Sequence, residues 1–318
     1  MKRISTLIAT SLIISPAIAQ LSDEQGFSGE VSINTGVTSS SSNFNTDGDS
    51  TITSNEQKAS SESKFLVAPL GNLAYTFGQG LNQQIYAGTA RDDVATGTVV
   101  LQVGYKYQLE SGMIIDAAVL PTIMSGKTWA NPYQTDVART ETDETGNAFR
   151  LKLDKIAGSN FSLDTAYATK DVDNDSVVDE LKRDADTLYL KGSYRQPLSR
   201  TSFVLPSIIY QSSDADGNAN SYDQLGAELS YFKLLDRHQL VLTAGYNQRS
   251  YDASNPIYDS KTRSDDNYSL FAAYEYKNFM DWDDWSFIAL AGYGTQQSNI
   301  TFYDESESLM SVGLNYKF

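Results

Sequence analysis

The chain has 318 residues, 20 Tyr, 13 Phe and no Cys, with 40% hydrophobic residues and a formal net charge of −16. Absence of Cys excludes a disulfide framework and a thiolate-held metal, and the acidic balance makes nucleic acid and anionic lipid surfaces poor partners. The apolar fraction is low for a soluble globular chain of this size.

Residues 1–19 read MKRISTLIATSLIISPAIA. Lys2 and Arg3 give a positive start, Ile4 to Ile14 is apolar, and Ala17-Ile18-Ala19 is a small-x-small cleavage site. A signal peptide over 1–19 is therefore expected, leaving 20–318 as one mature domain. The apolar run is too short for a spanning helix, and no later stretch reaches the roughly 18 continuous apolar residues that one needs.

From Phe27 onward the pattern has a period of two, which reads as strands with one apolar and one polar face. Phe27, Val31, Ile33 and Val37 oppose Ser28, Glu30, Ser32 and Asn34. A polar stretch, Thr38 to Ser63, precedes a strand over Lys64–Phe77. A short turn then leads to Gln83–Thr89. Val99–Leu109 and Met113–Met124 form the next pair, joined at Glu110-Ser111-Gly112. Beyond the polar stretch Ser125–Thr145, Phe149, Leu151 and Leu153 oppose Arg150, Lys152 and Asp154. Phe161–Lys170 follows, then the acidic stretch Asp171–Asp186.

Leu188, Leu190 and Tyr194 oppose Tyr189, Lys191 and Arg195. Ser202–Gln211 is apolar on both faces, so its parity stays open. Polar loops are expected over Ser212–Ser221 and Tyr251–Ser264. Strands run from Leu225 to Tyr231, Gln239 to Asn247, Tyr268 to Lys277 and Trp285 to Thr295. The last stretch, Ser308–Phe318, is the most regular. Met310, Val312, Leu314, Tyr316 and Phe318 are apolar, while the intervening set is small or polar with one exception, Leu309.

This makes fourteen strands, with twelve or sixteen as alternatives, joined by long polar loops that alternate with short turns. Aromatics gather near strand ends, among them Phe77, Tyr105, Phe161, Tyr246, Tyr276 and Trp285. A soluble sandwich gives no reason for that alternation in loop length. The terminal strand with its final Phe resembles the closing strand of bacterial outer-membrane β-barrels, and the chain as a whole resembles their porin-like members. No internal motif selects one barrel family, those of marine γ-proteobacteria being one candidate. The resemblance implies an all-β fold: a single antiparallel transmembrane barrel with short periplasmic turns and long extracellular loops. It also implies contact with outer-membrane lipid and lipopolysaccharide, and an assembly signal in Leu314, Tyr316 and Phe318 read by the barrel-assembly machinery.

Three sets of residues could carry chemistry. The single His, His238, falls in a short turn that the barrel topology places on the periplasmic side, away from outer-leaflet or extracellular substrates, so no catalytic residue and no enzyme activity is expected. Asp171, Asp173, Asp175 and Asp179 alternate as in calcium loops. Ser176 replaces the sharp-turn Gly and Lys182 the closing Glu, so calcium would bind loosely if at all. Asp214/Asp216 and Asp47/Asp49 are weaker echoes.

The third set is the inward parity, with Lys106, Asp116, Arg150, Lys152, Asp154, Asp164, Lys191, Arg195, Glu228, Arg249, Glu275 and Lys277 as pore-lining candidates. Fourteen strands enclose more lumen than side chains alone fill. Basic groups from Lys106 to Arg195 would then face Glu228 and Glu275 across the pore. A passive channel for small hydrophilic solutes is the leading reading. A non-conducting surface barrel whose acidic loops bind a partner is the second, and a lipid-modifying enzyme a weaker third.

Overall fold

The computed structural model describes residues 21–22, 24–89, 101–121 and 126–318. The expected signal peptide lies outside them, as do the start of the strand expected from Val99 and the end of the one expected to reach Met124. The described residues form sixteen strand segments. The first eight are β1 (Gly26–Ser41), β2 (Glu62–Phe77), β3 (Gln83–Thr89), β4 (Leu101–Gln108), β5 (Ile114–Pro121), β6 (Gly126–Trp129), β7 (Glu141–Asp154) and β8 (Phe161–Val172). The rest are β9 (Ala185–Tyr194), β10 (Gln196–Ser199), β11 (Ser202–Ala215), β12 (Tyr222–Leu235), β13 (His238–Asn255), β14 (Lys261–Lys277), β15 (Trp285–Ser298) and β16 (Glu305–Lys317).

Two segments are short continuations. β6 follows β5 and pairs with β7, and β10 follows β9 and pairs with β11 beside a register shift at Pro197/Ser199. Fourteen strands therefore go round the barrel, each antiparallel to its sequence neighbours. β16 closes on β1, with Val31 opposite Tyr316 and Ile33 opposite Leu314. β9 pairs with β11, so the sheet closes on itself. Closure leaves neither end of the sheet as a free edge, which a lipid environment demands.

The side chains are arranged inside out relative to a soluble protein. Phe65 is 73% exposed, Ile208 68% and Ile33 65%, whereas Thr76 and Ser230 are fully buried and Asn34 is 2% exposed. Apolar residues on the outer parity of every strand would make an unstable surface in water. Against hydrocarbon the same surface is at home, so the chain is a transmembrane β-barrel of the outer-membrane type. No helix among the described residues is long and apolar enough to cross a membrane. Aromatic pairs mark the periplasmic rim, with Phe27 on Tyr75, Phe161 on Tyr194 and Trp285 on Tyr316 at ring separations of 4.7–5.1 Å. Tyr246 and Tyr268 pair at the opposite rim.

Strands run further outward than alternation alone indicates. Ser212–Ala215, Tyr251–Asn255 and Lys261–Ser264 were expected to be loops and are strand. Beyond the bilayer the outer face of a strand meets water in place of lipid, so the ladder continues while the apolar parity disappears. The parity of β11 is settled as well. Ile208 faces lipid, whereas Ile209, 7% exposed, faces inward.

Candidate functional site

The twelve pore-lining candidates all lie on the inward parity of their strands, but the charges do not oppose one another across the lumen. They pair along the wall. Lys106, Asp116, Lys152, Asp164 and Lys191 are successive cross-strand partners through β4, β5, β7, β8 and β9. Their signs alternate at every step. Directly opposed side chains in a sheet are only ~5 Å apart, so opposite charges meet their neighbours before they can reach across a pore.

Lys106 Nζ lies 3.8 Å from Asp116, whose other oxygen accepts from the Tyr86 hydroxyl at 2.6 Å. Arg150 donates to both oxygens of Asp164, at 2.9 and 2.5 Å. Lys191 reaches past Ser207 of β11 to Glu228 on β12 at 2.6 Å. The expected transverse field is thus replaced by a belt of neutralised pairs round one side of the barrel.

The remaining candidates lie outside this belt. Glu275 accepts from Ser286 at 2.8 Å. Arg195 stacks on Phe203 with 4.4 Å between guanidinium carbon and ring centre. Asp154 is buried where β5 meets β7, opposite Ile114. Lys277 is half-buried at the periplasmic end of β14. Arg249 is nearer the extracellular end, donating to Gln224 at 3.0 Å and lying over the Tyr222 ring.

The long loops were read as polar and solvated, and here the structure corrects the reading. Tyr133, Leu181, Ala219, Ile300, Phe302 and Tyr303 form one buried cluster, and Phe44, Ile52, Val177 and Tyr258 pack against it. These residues come from six different long loops spaced round the barrel. A cluster drawing on loops from all round the rim must sit over the mouth, so the loops form a cap with its own apolar core. Each loop contributes only one to three apolar residues, which is why the cap leaves no local pattern. The signal available was an isolated aromatic in an otherwise polar stretch, such as Phe44, Tyr133 or Tyr258.

Arginines lock the cap. Arg139, 6% exposed, donates to the carbonyls of Asn43 at 2.8 Å, Asp49 at 2.5 Å and Pro132 at 3.3 Å, and stacks on Trp129. It thereby ties the β1–β2 loop to the β6–β7 loop, and its burial lowers its pKa. The same two loops meet at the bridge between Ile52 and Thr135. Arg183 donates to Asp175 at 2.6 Å and to the Trp129 carbonyl at 2.9 Å. Gly217 lets the β11–β12 loop lie on Glu180 and Lys182, where a Cβ would stand 2.3 Å from the Lys182 nitrogen.

Below the core, Arg263 donates to Asp265 at 3.0 Å and lies beneath Tyr303. The Tyr303 hydroxyl bonds that of Tyr133 at 2.8 Å and accepts from Asn255 at 2.7 Å. Burial pushes the Tyr133, Tyr258 and Tyr303 phenols up, so all three stay neutral.

Of the calcium candidates, Asp173, Asp175 and Asp179 border one open depression without converging on a point. The Asp175 side chain is spent on Arg183, and Asp171, Asp173 and Asp179 point to solvent. Among the described residues no group of three or more metal-type side chains is arranged to hold an ion. His238 lies at the periplasmic rim, with Nδ1 2.7 Å from the Tyr274 hydroxyl and its ring on Tyr276. Leu314 and Tyr316 face outward near that rim, and the Phe318 backbone exchanges two hydrogen bonds with Gly29.

Cavities inside the barrel are lined by described residues. One of about 250 Å³ lies under the cap between Ser41, Asn247, Asn267, Gln296 and Glu305. A second of about 610 Å³ lies against β14, β15, β16, β1 and β2.

A family model described as "Protein of unknown function (DUF2860)" matches residues 26–317. No curated protein sequence matches the chain. Among solved structures, Pseudomonas aeruginosa OpdQ is similar at 12% identity and a TM-score of 0.39, covering 92% of this chain and 98% of that one. A loop L8 deletion mutant of OmpT, an outer membrane protein of Vibrio cholerae, is similar at 10% identity and 0.44, covering 91% and 99%. A Pseudomonas aeruginosa FadL homologue is similar at 10% identity and 0.44, covering 92% and 90%.

Proposed function

This chain belongs to the family described as "Protein of unknown function (DUF2860)", and we propose that it is a passive outer-membrane channel for small hydrophilic solutes, roofed at its extracellular mouth by its own loops. The observation that carries this reading is the unfilled interior, polar-walled under the cap and partly apolar at the larger cavity. Cavities of about 610 and 250 Å³ lie along it, under a cap made of separate loops rather than of the barrel wall. Loops can part without breaking the sheet, and such motions lie on the timescale of gating. The belt of paired charges gives a solute hydrogen-bonding groups of both signs and favours neither anions nor cations strongly.

We assign no catalytic step. His238 is committed to Tyr274 and Tyr276 at the periplasmic rim. Leu314, Tyr316 and Phe318 are the residues we assign to recognition by the assembly machinery, and the outer parity to contact with membrane lipid and lipopolysaccharide.

A second reading, a closed surface barrel whose loops meet a partner, is favoured by the compactness of the cap. Solute uptake separates the two. Liposomes carrying the purified protein should swell in small sugars, and more so once Phe302→Ala has loosened the cap. Vesicles that stay osmotically tight with both proteins would favour the closed barrel.

A further inference from the structure

The larger cavity is not lined as a water channel would be. On the inward parity, where the barrel is mostly polar, stand Leu66 and Leu70 of β2, Phe271 of β14, Leu290 of β15 and Leu309 of β16. Leu309 is the one apolar residue that breaks the wet face of the terminal strand. Cross-strand register explains how they converge. Gly292 lies opposite both Phe271 and Leu309, and Gly36 lies opposite both Leu66 and Ser311, which in turn faces Leu290. The absence of a side chain at Gly292 lets the Phe271 ring settle over the β15 backbone, since a Cβ there would stand 3.1 Å from the ring. These side chains do not close on one another. They leave a space of about 610 Å³, within the roughly 300–1,000 Å³ of small-molecule sites.

Among the described residues, the charged groups at this cavity are Glu228 and Glu307, and no Lys, Arg or His lines it. Glu228 is balanced by Lys191. Glu307 is exposed on the lumen side and lies over Gly294, with no cation paired to it among the described residues. An apolar wall with one uncompensated carboxylate fits a molecule with an apolar body and a positive head. The face of Phe271 is a second group that attracts an ammonium. An anionic amphiphile of the same shape would meet Glu307 with like charge.

We propose that this cavity is a binding site for small organic cations with an apolar body, held by Leu66, Leu70, Phe271, Leu290 and Leu309 and oriented by Glu307. The site does not depend on conduction, because binding is read at equilibrium and apart from any current.

The test is calorimetric titration of the detergent-solubilised full chain with 2-phenylethylamine, 2-phenylethanol and 3-phenylpropionate. It is repeated in the Phe302→Ala cap variant, so that a closed roof cannot hide a site. The amine should bind saturably, the alcohol more weakly and the carboxylate not at all. Leu309→Asn and Glu307→Gln, each checked for a folded barrel by heat-modifiable gel mobility, should both weaken the amine about tenfold. Only Glu307→Gln should bring amine and alcohol to equal affinity. Absence of saturable amine binding in both the wild type and the cap variant would overturn the proposal. So would a carboxylate that binds as tightly as the amine, or amine binding untouched by the two substitutions.

Discussion

The guanidinium carbon of Arg263 lies 3.7 Å from the centre of the Tyr303 ring, which joins the wall of the barrel to the core of its roof. Arg263 belongs to β14 and faces inward, while Tyr303 is one of the fully packed residues of the cap. Beneath them Asp265, with no exposed surface, holds Arg263 by two contacts and accepts from Tyr251 at 3.1 Å. The roof therefore rests on a desolvated ion pair. Removing Asp265 strands a buried cation and should cost about 3–5 kcal/mol. Asp265→Ala should melt well below wild type in detergent, and an unchanged melting temperature would show that the pair carries no weight.

Arg139 stitches two loops through carbonyls alone, with no carboxylate among its side-chain partners named above. Arg139→Met keeps much of the stacking on Trp129 and loses the donors. Hydrogen bonds from a charged group contribute roughly 1.5–3 kcal/mol each, so the β1–β2 loop should come loose. Limited proteolysis should cut within residues 44–57 far sooner than in wild type, with the barrel strands left intact. Cleavage at the wild-type rate would mean that the bridge between Ile52 and Thr135 holds the loop by itself.

The charge belt makes a different prediction from a pore with opposed charges. Glu228→Gln removes the partner of Lys191 and makes the wall more positive by one charge. The reversal potential in a salt gradient should shift toward anions. Asp164→Asn should shift it the same way, because Arg150, Lys152 and Lys191 all border that position. No shift in either variant would place the belt off the permeation path.

Glu305 gives the cap a pH dependence. It stands at the extracellular end of β16, where the outward residues have become Ser306 and Ser308. Burial raises its carboxyl above the ordinary 4.5, Ser42 and the Arg263 and Arg249 charges hold it back in part, and Asp265 adds to the rise. A carboxyl whose folded value is raised binds its proton more tightly in the folded cap. That stabilisation is complete below 4.5 and is lost as pH climbs through the folded value. The cap should therefore be tighter in acid, and current should fall between neutral pH and pH 4.5. Glu305→Gln should remove this part of the dependence. Current that rises in acid, or a Gln variant with the wild-type profile, would contradict the assignment.

How much of this was legible depends on where each residue faces. Most of the barrel strands left a two-residue alternation where one face met lipid, so β13 could be read from Leu240, Leu242 and Ala244 against Gln239 and Thr243. The signal failed in two physical situations. Above the bilayer, at Tyr251–Asn255, the outer face meets water and carries no apolar parity, so the strand looks like a loop. At the larger cavity the reverse holds: inward leucines such as Leu70 and Leu309 blur the polar parity and read as exceptions. On β11 the inward Leu205 and Ile209 have the same effect. The cap was illegible for another reason. Its core is assembled from single residues separated by as many as 170 positions along the chain, as Tyr133 and Tyr303 are, and no local window contains two of its walls. The charge belt was visible as a list of residues, but the pairing depended on register, which places Asp164 directly between Lys152 and Lys191.

The central claim is that a conducting lumen is closed from outside by an aromatic roof. Single-channel recording in a planar bilayer tests it most directly, with wild type and Phe302→Ala measured side by side. Wild type should spend most of its time shut with brief openings, and Phe302→Ala should give long, steady openings of the same unit conductance. Silence from both proteins at all voltages would contradict the claim, as would steady wild-type openings that the substitution leaves unchanged.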